Sequence, residues 1–155
     1  MFVGSSLIDV VWALEDSSWA HQRIIQIGCG SDVLVGSSLV DMYAKCGGME
    51  EGWKMVFNKM PSHDVVSWNV LLRGFAMHGQ GKETLQHLEQ MCEEGVEPED
   101  ITFHCLLSAC SHAGLVYEGL CCYDSMNVIY KISAKLEHHT CIVDLSWTSW
   151  PSAQG

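Results

Sequence analysis

Pairs of apolar residues recur along the chain at nearly constant distance. Leu39-Val40, Leu71-Leu72, Leu106-Leu107 and Ile142-Val143 stand 32, 35 and 36 residues apart. Each of the first three lies in an echo of one pattern: GSSLVDMYAKCGG at 36–48, NVLLRGFAMHGQG at 69–81 and CLLSACSHAGLV at 105–116. GSSLID at 4–9 opens the chain 32 residues before GSSLVD. A fixed period of this length marks a repeat protein.

Within each unit the apolar positions follow a helical period. Leu39, Met42, Tyr43 and Cys46 fall at i, i+3, i+4 and i+7, one face of a first helix. Gly47-Gly48 supplies the turn, because glycine accepts the left-handed backbone that ends helices. Trp53, Val56, Phe57 and Met60 repeat the spacing on a second helix, with Pro61 just past its end. The next unit carries Trp68, Leu71, Leu72 and Phe75, then a turn at Gly79-Gln80-Gly81. Its second helix carries Leu85, Leu88, Met91 and Cys92, and Gly95 stops it. A third unit has Phe103, Leu106, Leu107 and Cys110, a turn at Gly114, and a second helix from Leu115 to Met126. Each pair has an apolar face that it cannot bury alone, so neighbouring pairs must stack. The expected fold class is all-α, a right-handed α-solenoid of helix-turn-helix repeats.

Charge and composition narrow the function. With 8 Lys and Arg against 19 Asp and Glu, the formal net charge is −11. Binding to a DNA duplex is disfavoured, because phosphate contacts need a basic surface. Recognition of single unstacked bases depends less on net charge. No apolar run approaches the ~18 residues of a membrane span, and MFVGSSLIDVVWALED lacks the basic start of a signal or transit peptide.

Eight cysteines, Cys29, Cys46, Cys92, Cys105, Cys110, Cys121, Cys122 and Cys141, contain no C-x-x-C. Most fall at helical positions, where a reduced thiol serves as a small core residue. Cys121 and Cys122 are expected to face different directions. His138, His139 and Cys141 lack a fourth ligand for zinc, and no H-x-E with a downstream C-x-x-C is present. His112, next to a helix end, is expected to cap carbonyls. Trp53 and Trp68 occupy core positions. Gly28-Cys29-Gly30 and Gly79-Gln80-Gly81 are not phosphate loops, since no G-K-[ST] follows. No catalytic set, metal site or cofactor is expected.

At the level of motifs the chain resembles a known family. Asp64 to Pro98, DVVSWNVLLRGFAMHGQGKETLQHLEQMCEEGVEP, is similar to the 35-residue pentatricopeptide repeat. Ser37 to Asp64, with DMYAKCG, resembles the short variant of the land-plant subfamily that alternates repeat lengths. Glu99 to Met126, with SACSHAGL, resembles its long variant, as does Leu14 to Asp32 in its second half. Lys135 to Leu145 resembles the start of a further short repeat. The units are then 1–32 (degenerate, long type), 33–64 (short), 65–99 (35 residues), 100–135 (long) and 136–155 (truncated, with a divergent tail). Two departures stand out. One extra residue near Lys54-Met55 is expected to strain the second helix of the short unit. After Leu145, SWTSWPSAQG has no helical period and reads as a truncation, an alternative exon or a frame change. The apolar surface left unpaired there is expected to fray or self-associate.

The resemblance implies sequence-selective binding of single-stranded RNA, one base per repeat, in organellar RNA processing or editing, without enzymatic activity. The mitochondrion or the chloroplast is the implied location, and other RNA-processing proteins are implied partners. The fifth and last residues of a repeat are its implied readers. These are Ser37 with Asp64, Asn69 with Glu99, His104 with Lys135, and Val3 with Asp32 in the degenerate unit. A small hydroxyl or amide reaches a base edge while a carboxylate orients it or accepts a base N–H. Ser with Asp implies a purine, guanine first; Asn implies a pyrimidine; His with Lys fits no common pairing. The bland reading of these residues is solvated polar groups at helix starts, with Asp64 an N-cap. Two competing functions are a protein–protein scaffold holding a peptide or partner helix, and a repeat fragment without function.

Overall fold

A computed structural model describes residues 19–26 and 33–149 of the 155. Val3, Cys29, Asp32, most of the opening unit and the tail from 150 lie outside the described residues. Helix α1 covers 19–26. It is followed by α2 (Val33–Lys45) and α3 (Met49–Glu51), which runs on through a π-helical stretch, Gly52–Val56, and a 3-10 turn, Phe57–Lys59. Next come α4 (Val65–Met77), α5 (Gly81–Glu93), α6 (Asp100–Ala113), α7 (Val116–Val128) and α8 (Leu136–Ser149). All the elements among the described residues are helices, as the apolar period predicts. The chain divides into two units whose boundary falls between Gly74 and Phe75, inside α4.

In the first unit the buried face of α2 is Gly36, Ser37, Leu39, Val40, Tyr43 and Ala44. Met42 is half-buried, and Cys46 lies beyond the helix in the turn. The stripe is therefore rotated from the expected one towards the small residues. Gly47, at φ +82°, makes the turn that a side chain would strain, and Gly48 N–H donates to Tyr43 O (2.7 Å). Phe57 and Trp68 meet edge to face, with ring centroids 4.7 Å apart, and His63 stacks flat on Phe57 at 3.9 Å. Trp53 is half-buried, not a core residue.

The strain expected near Lys54-Met55 takes a definite form. Phe57 N–H is shared between the carbonyls of Gly52, five residues back, and Trp53, four back. One widened turn absorbs the extra residue, and Val56, Phe57 and Met60 all remain buried.

In the second unit Phe103, Leu106 and Leu107 of α6, Cys122 and Met126 of α7 and Cys141 of α8 form the core, flanked by Leu85, Leu88, Tyr130 and Ile132. Each such large side chain contributes roughly 1.5–3 kcal/mol when fully buried. An exposed pair such as Lys54–Glu50 (3.6 Å) contributes about 0.3–0.5 kcal/mol. Packing therefore dominates.

The face of α5 differs from expectation. Thr84, His87 and Met91 are buried, Leu85 and Leu88 half-buried, and Cys92 exposed. His87 pays for its burial with a ring stack on Phe75 (4.7 Å) and a contact from Nδ1 to Gln90 Oε1 (3.0 Å). Gly114, at φ +72°, closes α6, and Leu115 N–H donates to Cys110 O (2.9 Å). His112 donates to a carbonyl of another helix, Ala76 O (3.4 Å).

Helix α8 continues four residues past Leu145, so the loss of period in SWTS does not end it. Its buried residues are His138, Cys141 and Leu145, while Val143 of the expected apolar couple is exposed. Ile142, Val143, Ser146 and Trp147 line an open groove of about 370 Å³. The seven described cysteines are free thiols, and Cys122 is buried where its neighbour Cys121 is exposed.

Candidate nucleic-acid interface

The first helix of each of the last three units begins with the same local device. Asp64 caps α4: Ser67 N–H donates to Asp64 Oδ1 (2.8 Å), and Asp64 N–H donates to Ser67 Oγ (2.9 Å). Glu99 caps α6 in the same box, with Glu99 N–H donating to Thr102 Oγ1 (3.0 Å). At α8, Lys135 N–H donates to His138 Nδ1 (2.8 Å). Ser67, Thr102 and His138 are all buried. Because His138 Nδ1 accepts, the proton sits on Nε2, which donates to Asp100 O (2.8 Å). Neither ring nitrogen is left for a metal. Among the described residues no group of three or more His, Cys, Asp or Glu could hold an ion.

The implied reader residues occupy these helix starts. Ser37 on α2 and Asn69 on α4 are buried, and Asp64 is exposed at its cap, all in the first unit. Glu99, half-buried, is in the second unit. His104 and Lys135 are brought together: they line one cleft of about 270 Å³ with Asp100, Ile101, Glu137 and His138. A larger cleft of about 570 Å³, lined by Glu97, Glu99, Tyr130 and Ile132, shares Asp100 and Lys135 as its wall.

The Lys135 ammonium forms an ion pair with Asp100 Oδ2, and Ile101 N–H donates to Oδ1 (2.9 Å). The hydrogen bond from Lys135 holds the Asp100 carboxyl below its ordinary range, and the same contact raises the ammonium. His104 Nδ1 lies 3.9 Å from Cys141 Sγ. Burial pushes that thiol up, so the Cys141–His104 pair is no activated nucleophile.

Two recurring features escaped the sequence reading. The third cap residue, Ser67, Thr102 or His138, was legible only as a serine, threonine or histidine three residues after a polar one. The second is an exposed aliphatic side chain three residues before each of Ser37, Asn69 and His104, the implied fifth-position readers. Leu34 is 74% exposed, Val66 53% and Ile101 55%, although each looks like an ordinary helix-face residue. Their spacing of 32 and 35 residues matches the repeat and was the available signal.

Residues 63–112 match the PPR repeat family and residues 101–128 match the PPR repeat. Residues 63–128 carry pentatricopeptide repeats. Among Arabidopsis thaliana relatives, the pentatricopeptide repeat-containing protein At2g13600 is 47% identical over 81% of this chain and 18% of its own length. ELI1, chloroplastic, is 42% identical over 87% of this chain and 21% of its own length. At4g33170 is 42% identical over 85% of this chain. The chain thus spans 13% of that relative's length. Among solved structures, the pentatricopeptide repeat protein PPR10 in complex with an 18-nt psaJ RNA element is similar with a TM-score of 0.66 and 26% identity. The match covers 83% of this chain and 19% of that one. A structure of PPR10 from maize is similar in fold, with a TM-score of 0.65 and 22% identity.

Proposed function

We propose that this pentatricopeptide chain binds single-stranded RNA sequence-selectively, about one base per repeat, as a binding protein and not an enzyme. The observation that carries the reading is a triplet recurring at repeat spacing. An exposed aliphatic residue (Leu34, Val66, Ile101) is followed three residues on by a polar reader (Ser37, Asn69, His104). The unit then closes on a polar cap residue (Asp64, Glu99, Lys135). An aliphatic side chain supplies contact area to a base face, while polar atoms beside it discriminate the edge.

Ser37 and Asn69 are buried and present little surface, so the cleft at His104 and Lys135 is the most open of the three readers. On the resemblance to the subfamily with alternating repeat lengths, the place of action is an organelle, chloroplast or mitochondrion, in RNA processing such as editing. Several relatives are named chloroplastic. Other RNA-processing proteins complete the partner set, and a DNA duplex does not fit a net charge of −11. The unit boundaries we assign, 33–64, 65–99 and 100–135, follow the caps.

The test is binding to short single-stranded RNAs varied at each position, with Asn69→Ala alongside. A preference for a pyrimidine at one position, lost in Asn69→Ala, supports the reading. A helical chain that binds no RNA above a random-sequence control overturns it. That result would favour a protein scaffold, a reading to which the net charge and the apolar groove at Ile142, Val143 and Trp147 lend weight.

A further inference from the structure

The unit boundaries differ in sign. Asp64 and Glu99 place carboxylates at the starts of α4 and α6, whereas α8 starts at Lys135. A cation at a helix N-terminus opposes the macrodipole, so local electrostatics do not explain this lysine. Asp100 does. Its Oδ2 accepts from the Lys135 ammonium, its Oδ1 is held by Ile101 N–H, and its carbonyl holds His138, which in turn holds the Lys135 backbone. Lys135 is gripped at both ends and aimed along the wall of the cleft that contains His104 and Glu137.

The charges of that cleft discriminate between ligands. Asp100 and Glu137 outnumber the one ammonium, and His138 is neutral with both nitrogens engaged. A phosphate would meet two carboxylates and one cation, which disfavours it. A neutral base edge meets no such repulsion, and it must offer a carbonyl to Lys135 and N–H groups to a carboxylate. Guanine alone presents a carbonyl, O6, beside two donors, N1–H and N2–H, on one edge. Uracil has a single N–H between two carbonyls, and adenine and cytosine each have one donor group.

We infer that the cleft of the 100–135 repeat selects guanine. Lys135 donates to O6, Glu137 accepts from N1–H and N2–H, and Asp100 is the positioning residue that aims Lys135. The inference rests on the RNA-binding reading above and adds to it a base for the repeat whose His-Lys pairing is unassigned.

The experiment uses the full 155-residue chain and single-stranded RNAs in which each position in turn is A, C, G or U. Lys135→Gln, Lys135→Arg and Asp100→Asn are measured beside wild type, with helix content checked by circular dichroism. The expected result is a preference of about tenfold for guanine at one position. Lys135→Gln erases it there and nowhere else, Lys135→Arg keeps it, and Asp100→Asn weakens it. Preferences that respond to Asn69→Ala but not to Lys135→Gln overturn this inference and leave the RNA-binding reading standing. So does a Lys135→Gln loss equal for all four bases with a flatter salt dependence, the mark of a phosphate contact. Absence of RNA binding by the folded chain overturns both.

Discussion

His138 performs at the start of α8 the task that Ser67 and Thr102 perform at α4 and α6, accepting the N–H of the cap residue three positions earlier. A hydroxyl and an imidazole look unrelated in sequence, but each puts an acceptor one turn from the orphan N–H. The caps Asp64, Glu99 and Lys135 are thus also the implied last-position readers, and Asp64 is occupied by its helix before any ligand arrives. His87 shows the cost of a buried polar residue. Burial lowers its affinity for a proton and outweighs the opposing effects of Gln90 and Glu83. The folded state resists protonation while the unfolded state takes a proton below its ordinary value of 6.5. Stability is therefore unaffected above that pH and falls as pH drops below it, by at most about 1.4 kcal/mol per pH unit for one group. Burial also lowers His21, which adds to the trend. Denaturant midpoints across this range are expected to show a steeper acid loss for wild type than for His87→Leu; parallel curves would refute the assignment.

At the scale of elements, the first helices α4 and α6 bury the faces their spacing predicts because Trp68, Leu71 and Leu72, and Phe103, Leu106 and Leu107, are large and evenly spaced. The second helices were harder. α5 buries Thr84 and His87 in place of Cys92, since a polar residue with a partner packs as well as a thiol. The helix after α3 was legible as strained, but whether it would break, bulge or loop out depends on the core that pins Val56, Phe57 and Met60. Deleting the half-exposed Met55 removes the residue that widens the turn. The shortened segment is expected to become α-helical, with slower amide exchange over 52–59 and a higher melting temperature. A lower melting temperature would show that the wide turn is required to place Phe57.

At the scale of the whole molecule, electrostatics limit how RNA could be held. Lys45, Lys54, Arg73 and Lys135, half of the chain's eight Lys and Arg, are already paired with Asp41, Glu50 or Asp100. Few cations remain for phosphates. Affinity for single-stranded RNA is accordingly expected to depend weakly on salt, with a log–log slope shallower than about −2, fewer than about three phosphates at ~0.7 each. A steep slope in a salt titration would contradict base-centred recognition.

Sequence alone determined that the described residues form a run of helices, where the turns at Gly47, Gly79, Gly95 and Gly114 fall and which residues stand at the helix starts. Periodicity and glycine placement are local properties, and the apolar spacing leaves little freedom to a chain that must bury them. Tertiary structure decided which face each second helix buries, how one surplus residue is absorbed, and that α8 continues past Leu145. It also decided that Asp100, 35 residues from Lys135, turns a misplaced cation into the wall of a cleft. Those outcomes depend on packing between separate helices, as where Phe57 meets Trp68, His87 stacks on Phe75 and Lys135 reaches Asp100, which no local pattern encodes.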